Sequence, residues 1–157
     1  MSEYGTRPGA VKKWFLKSPS YLYRARLGVL FGSRFLMLEH RGRSSGTLYE
    51  TPLEVSGRYP DRNEWIVTAG NGPTSDWYLN LRANGAEAVW IKSTRYLRPT
   101  VRFLEPNEAA DVMKAYESEN PRTAAWLRNT MGVSFDGTDE GRVEMMKQIP
   151  MVSLQTE

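Results

Sequence analysis

FLMLEHRGRSSGTLYETPLEV, residues 35–55, places an apolar run, a polar glycine loop and an alternating run in direct succession. Phe35-Leu36-Met37-Leu38 is dense enough in apolar side chains to form a buried strand. Tyr49, Thr51, Leu53 and Val55 then alternate with Glu50, Pro52 and Glu54, the period-two pattern of a half-buried strand. Pro52 has no N–H for a ladder bond and predicts an edge or a bulge there. Between the two strands, Glu39-His40-Arg41-Gly42-Arg43-Ser44-Ser45-Gly46 gathers two glycines, two hydroxyls and two guanidinium groups. Glycines let backbone N–H groups converge on an anion, Ser44 and Ser45 add hydroxyl donors, and Arg41 and Arg43 offer charge-assisted bonds. Phosphate is the natural partner, with a plain polar hairpin loop as the competing reading. The stretch is not a P-loop, because no Gly-Lys-Ser/Thr follows at the required spacing.

Working outward, Gly57 to Asn63 reads as a turn, and Trp65 to Ala69 as a strand that completes a hairpin with residues 49–55. Ala69-Gly70-Asn71-Gly72-Pro73 forms a second glycine loop. It runs into a helix predicted over Asp76 to Asn84, with Ser75 as N-cap and Gly85 as the stop. Glu87 to Lys92 is the next strand. Over Arg95 to Leu104, Leu97, Val101 and Phe103 share one parity and Arg98, Thr100 and Arg102 the other, which predicts a strand with a core face and a basic face, placed at an edge by Pro99. Helices are expected from Pro106 to about Glu117, from Asn120-Pro121 to near Gly132, and after the Thr138 cap, before a closing strand at Met151 to Leu154. Six short strands with helices grouped at the two ends of the sequence indicate one α+β domain over residues 1–157, built on a mainly antiparallel sheet that can close as a barrel.

Composition narrows the chemistry. The 157 residues contain no cysteine and one histidine, His40, which excludes disulfides and thiolate chemistry and argues against histidine metal sites and Ser-His-Asp triads. No apolar run has the length of a membrane span, and none at the N-terminus has that of a signal peptide, so a cytoplasmic protein is expected. Residues 1–34 carry seven Lys or Arg against one Glu, whereas the remainder sums to −3. Trp14, Phe15, Leu16, Tyr21 and Leu22 lie among Lys12, Lys13, Lys17 and Arg24, a pattern that suits a basic amphipathic helical segment. Such a segment either packs on the body, residues 35–157, or makes peripheral contact with anionic lipid. No nucleic-acid reading motif accompanies it.

In Asp76-Trp77-Tyr78-Leu79-Asn80-Leu81, Trp77 and Leu81 share one helix face; the functional reading makes Trp77 or Tyr78 a wall for a ring and has Asn80 pin the preceding loop. Arg-Gly-Arg-Ser-Ser-Gly, then Tyr49-Glu50-Thr51-Pro52-Leu53-Glu54-Val55, a Gly-x-Gly loop, Trp77-Tyr78-Leu79-Asn80 and the closing Ile149-Pro150-Met151-Val152 together resemble the deazaflavin-dependent nitroreductase family. The resemblance implies a split β-barrel of the FMN-binding, flavin-reductase type. It also implies actinobacterial origin and hydride transfer from reduced 8-hydroxy-5-deazaflavin, coenzyme F-420, to quinones, nitroaromatics or activated alkenes. Carried across residue by residue, the family's Gly-Arg-Lys/Arg-Ser-Gly loop falls on Gly42, Arg43, Ser44, Ser45 and Gly46. Its basic third position is therefore Ser44 here, with Arg41 or Arg98 as substitutes. The family's ring-side loop falls on Ala69, Gly70, Asn71 and Gly72, its Trp-Tyr-x-Asn on Trp77, Tyr78 and Asn80, and Thr51, Pro52 and Leu53 complete the implied cofactor set.

No strong nucleophile, acid-base pair or metal centre stands out, which suits a protein whose cofactor brings the reactivity. Tyr49, Tyr78 and Tyr116 are the available proton donors, with none singled out as catalytic. FMN on the same barrel is the alternative cofactor, and a non-catalytic carrier at a membrane surface is the alternative of another class. The oligomeric state stays open, since an antiparallel sheet with exposed edges can pair or be covered.

Overall fold

The computed structural model describes residues 34–122, 125, 129 and 137–156. The expected basic segment lies outside these residues apart from Arg34, as does most of the helix expected from Asn120 to Gly132. The elements are β1 (Phe35–Arg41), β2 (Leu48–Tyr59), β3 (Glu64–Thr68), α1 (Asp76–Asn84), β4 (Ala88–Ile91), β5 (Thr94–Leu97), β6 (Thr100–Phe103), α2 (Pro106–Glu119), α3 (Asp139–Gln148) and β7 (Met151–Gln155). One sheet runs β5-β4-β1-β2-β3-β7-β6, with every pair antiparallel.

The sheet has seven strands, not the expected six, because the run from Arg95 to Leu104 breaks in two. Arg98 sits at φ 46° and Pro99 cannot donate a ladder bond, so the chain leaves β5 and re-enters as β6 at the opposite end of the sheet order. The break also overturns one parity assignment: Leu97, expected on the core face, is 67% exposed. Val101 and Phe103 do pack on the core.

β2 carries the curl. Its first part, to Glu54, pairs with β1, whereas Val55 to Tyr59 pairs with β3 across a register shift between Val55 and Gly57. At Pro52 only β1 is alongside, opposite Met37, so the missing N–H falls where no second neighbour needs it. The concave face buries Leu36, Leu38, Val67, Val89 and Leu154 against Tyr78 and Leu81 of α1. On the other face, Ile66 and Met151 meet Met113, Met145 and Met146 of α2 and α3. β3 is thus apolar on both sides, since Trp65 and Val67 point one way and Ile66 the other. Each such side chain fully buried stabilises the fold by about 1.5–3 kcal/mol.

Polar ties join the layers. Glu64, buried in β3, accepts hydrogen bonds from Arg102 Nε (3.0 Å) on β6, Ser153 Oγ (2.8 Å) on β7 and Arg62 Nε (2.6 Å). Glu39, buried in β1, accepts a bidentate pair from Arg95 of β5 at 2.8 Å each. Thr138 caps α3 as expected, its Oγ1 accepting from Gly141 N at 2.9 Å.

Candidate cofactor site

The loop between β1 and β2 is closed by its own backbone: Gly42 N donates to Thr47 O (2.8 Å) and Gly46 N to Gly42 O (2.9 Å). Both positions favour glycine. Gly46 lies at φ 74°, and a Cβ on Gly42 would fall 2.7 Å from Ser45 Oγ and 3.1 Å from the Tyr49 ring.

α1 holds the loop from outside. Asn80 Oδ1 accepts from Arg43 twice, from the backbone N at 3.0 Å and from Nη1 at 2.9 Å, while Arg43 Nη2 donates to Asp76 Oδ1 at 3.1 Å. Asn80 therefore pins a loop, as its helical position suggested, but it is the earlier one at Gly42 to Gly46. Asp76 reads from sequence only as a first-turn acid, and nothing in its spacing ties it to Arg43. Behind Asn80 lies His40, fully buried on β1. Asn80 Nδ2 is 3.1 Å from His40 Nδ1, and His40 Nε2 is 2.8 Å from Thr51 Oγ1. Burial pushes the imidazole down to about 4, only partly opposed by the Asp76 charge, so the ring is neutral at pH 7.

The second glycine loop leads into the same helix end. Ala69 is buried and donates its N–H to Pro150 O (2.8 Å); Gly72 N donates to Ala69 O (2.9 Å) at φ 93°. Ser75, expected as a capping acceptor, instead donates from Oγ to Gly72 O at 2.7 Å, fastening the loop to the start of α1. Both loops thus converge on the first two turns of one helix. Asn71 is exposed and Gly70 half-buried.

The remaining expected residues divide between site and core. Arg41 is exposed, with Nη1 donating to Gly46 O (3.1 Å) and Nε 3.6 Å from Glu87 Oε2; Arg98 donates its backbone N–H to Glu87 O at 3.0 Å. Thr51 belongs to the His40 chain, Pro52 faces Met37, and Leu53 packs on the inner core. Trp77 is half-buried, whereas Tyr78 is buried edge-on between Trp77 and Phe103 and accepts from Arg82. Tyr116 lies in the outer core and donates to Glu54 Oε1 at 3.1 Å; burial and the Glu54 charge push its hydroxyl up to about 12. Tyr49 alone of the three tyrosines stays half-exposed beside the loop, its ring 5.8 Å from that of His40. Among the described residues no group of three or more His, Asp or Glu is placed to hold a metal ion.

Residues 22–133 match the family described as F420H(2)-dependent quinone reductase. The chain belongs to this family. It is accordingly an oxidoreductase that uses the deazaflavin coenzyme F-420. Solved structures share the fold: an F420-H2 dependent reductase, FDR-A, at 19% identity covers 78% of this chain and 94% of its own with a TM-score of 0.52. A pyridoxamine 5'-phosphate oxidase-related FMN binding protein from Nostoc punctiforme, at 14% identity, covers 97% and 83% with a TM-score of 0.51. These place the curled sheet among split β-barrels. No curated protein matches the sequence.

The donor set of the Gly42 to Gly46 loop fits the phosphate that a family coenzyme carries. The backbone N–H groups of Ser44 and Ser45 have no acceptor among the described residues, and of the five N–H donors of Arg43 only Nη1 and Nη2 contribute one bond each to protein. Two adjacent amides, two hydroxyls and a guanidinium edge on one exposed turn are donors of the type that anions take up.

Proposed function

We propose that this chain passes hydride from reduced F-420 to a small electron-poor organic acceptor, a quinone, nitroaromatic or activated alkene, and that the loop from Gly42 to Gly46 holds the coenzyme's phosphorylated tail. The observation that carries this reading is the fixing of Arg43 by Asn80 and Asp76 in a loop whose Ser44 and Ser45 amides have no acceptor among the described residues. When bound, the deazaflavin supplies a two-electron hydride donor. The protein's part is grip and orientation. Arg43 and the two serine amides hold the anion, Arg41 adds positive charge beside it, and Ser44 contributes a hydroxyl where the family has a basic residue. Gly70 and Gly72 offer backbone unencumbered by side chains, and half-buried Trp77 flanks it as a wall. Of the three tyrosines, Tyr49 is the half-exposed one and so the candidate for proton delivery.

Fluorescence titration with oxidised and reduced F-420, with FMN in parallel, tests the reading. Micromolar or tighter binding of F-420 is expected, together with acceptor turnover across a quinone and nitroaromatic series. Arg43→Ala should weaken binding about 10- to 100-fold, the loss of hydrogen bonds to a charged group. Unchanged affinity in that variant moves the phosphate elsewhere, and a preparation that binds FMN but not F-420 rejects the assignment.

A further inference from the structure

We infer that His40 is a positioning residue for the coenzyme's anion, acting through Asn80 to hold the Arg43 loop in its binding shape. The inference rests on the proposed role of that loop and goes beyond it, because His40 touches no exposed surface.

The argument is one of hydrogen-bond parity. An asparagine amide has two nearly isosteric orientations, and its partners decide between them. Arg43 presents only donors to Asn80, a backbone N–H and a guanidinium N–H, so the oxygen must face Arg43. The Nδ2 group then faces His40 Nδ1, which must be a bare acceptor. The ring's proton consequently sits on Nε2 and is donated to Thr51 Oγ1. A single donor chain thus runs from Arg43 through Asn80 and His40 to Thr51. If Nδ1 carried a proton, Asn80 would turn its oxygen toward the ring. Its NH₂ would then meet the two Arg43 donors, and the loop would lose both Asn80 ties and keep only the Asp76 pair to α1. His40 also packs against Tyr49, whose ring abuts Gly42, so the imidazole braces the loop on a second side.

Two measurements decide it. As His40 is the one histidine in the chain, its ¹⁵N resonances are unambiguous. At pH 7 the shifts should report the Nε2–H tautomer; an Nδ1–H or doubly protonated ring overturns the inference in the unaltered protein. The second measurement compares His40→Leu with His40→Asn, side chains of similar shape of which only Asn retains an acceptor near the Nδ1 position. Affinities are read for F-420 and for its phosphate-free 8-hydroxy-5-deazaflavin core. His40→Leu should weaken F-420 binding on the order of tenfold, leave the phosphate-free core within about twofold, and add nothing to Arg43→Ala in the double variant, with His40→Asn regaining most of the loss. Equal losses for both ligands, or losses that multiply in the double variant, assign His40 a purely structural role and overturn the inference alone. Failure of the unaltered protein to bind F-420, or full affinity in Arg43→Ala, rejects the loop's proposed role and the inference with it.

Discussion

A buried neutral imidazole makes stability depend on proton concentration in a definite direction. His40 protonates at about 4 in the folded protein against its ordinary 6.5, facing Asp76 and the Asn80-bound Arg43 across the chain described above. Above 6.5 neither folded nor unfolded chain binds this proton, and the contribution to stability is complete. As pH falls from 6.5 toward 4 the unfolded chain takes up the proton and the folded one does not, so stability is lost, by about 3 kcal/mol over the window. Urea denaturation at stepped pH should show this slope in the natural sequence and a flatter one in His40→Asn between pH 6.5 and 5; parallel slopes would mean the proton is taken up elsewhere. The part of the site that lies within one stretch of chain was legible in the sequence as a tight polar turn: Gly42 and Gly46 mark where the backbone reverses, while their chemistry leaves an anion loop and a plain hairpin as two readings. The part that depends on tertiary pairing was not. Thr51 meets His40 only because β2 folds back on β1, and Asn80 reaches His40 only because α1 packs against β1. A lone histidine gives no spacing from which either partner can be read.

Elements were legible where periodicity was local and misread where one residue redirects the chain. β3 and α1 fall close to their expected bounds because apolar alternation and a glycine stop specify them, whereas β1 runs on to Arg41 and β2 to Tyr59, through residues expected in a loop and in a turn, because pairing with the neighbouring strand holds those polar residues extended. The run from Arg95 to Leu104 keeps its alternation through Pro99, yet the backbone at Arg98 turns to positive φ and divides it. Parity is meaningful only within one strand, which is why Leu97 ended on the outside. The junction of β2 with α2 yields a sharper test. At the bulge after Val55, Gly57 presents bare backbone to α2, and a Cβ there would come within 2.6 Å of Val112 Cγ1. Valine is stiff at χ1 and buried here, so it cannot swing aside. Gly57→Ala should cost about 1–3 kcal/mol, and adding Val112→Ala should make the double variant less unstable than the two single losses combined. Additive losses in chemical denaturation would show that the helix does not approach the bulge this closely.

For the whole molecule, the strand order sets a dependence between distant stretches. No helix among the described residues is long and apolar enough to cross a membrane. A chain ended after Gln148 would leave β3 and β6 without their common neighbour and uncover Ile66 and Leu104, which rest on Met151 and its surroundings. Such a truncation should fail to unfold cooperatively and should bind 1-anilinonaphthalene-8-sulfonate; a sharp two-state transition would disprove the requirement. The same insertion of β7 between β3 and β6 fixes an order in time. During synthesis β1 to β5 can pair as each emerges from the ribosome, but β6 has no partner until residues 151–155 have been made. The coenzyme loop and α1 can therefore assemble on a nascent sheet that is still open along one side. The pairing of β3 and β6 through β7, and with it full protection from proteolysis, waits on residues 151–155 leaving the exit tunnel.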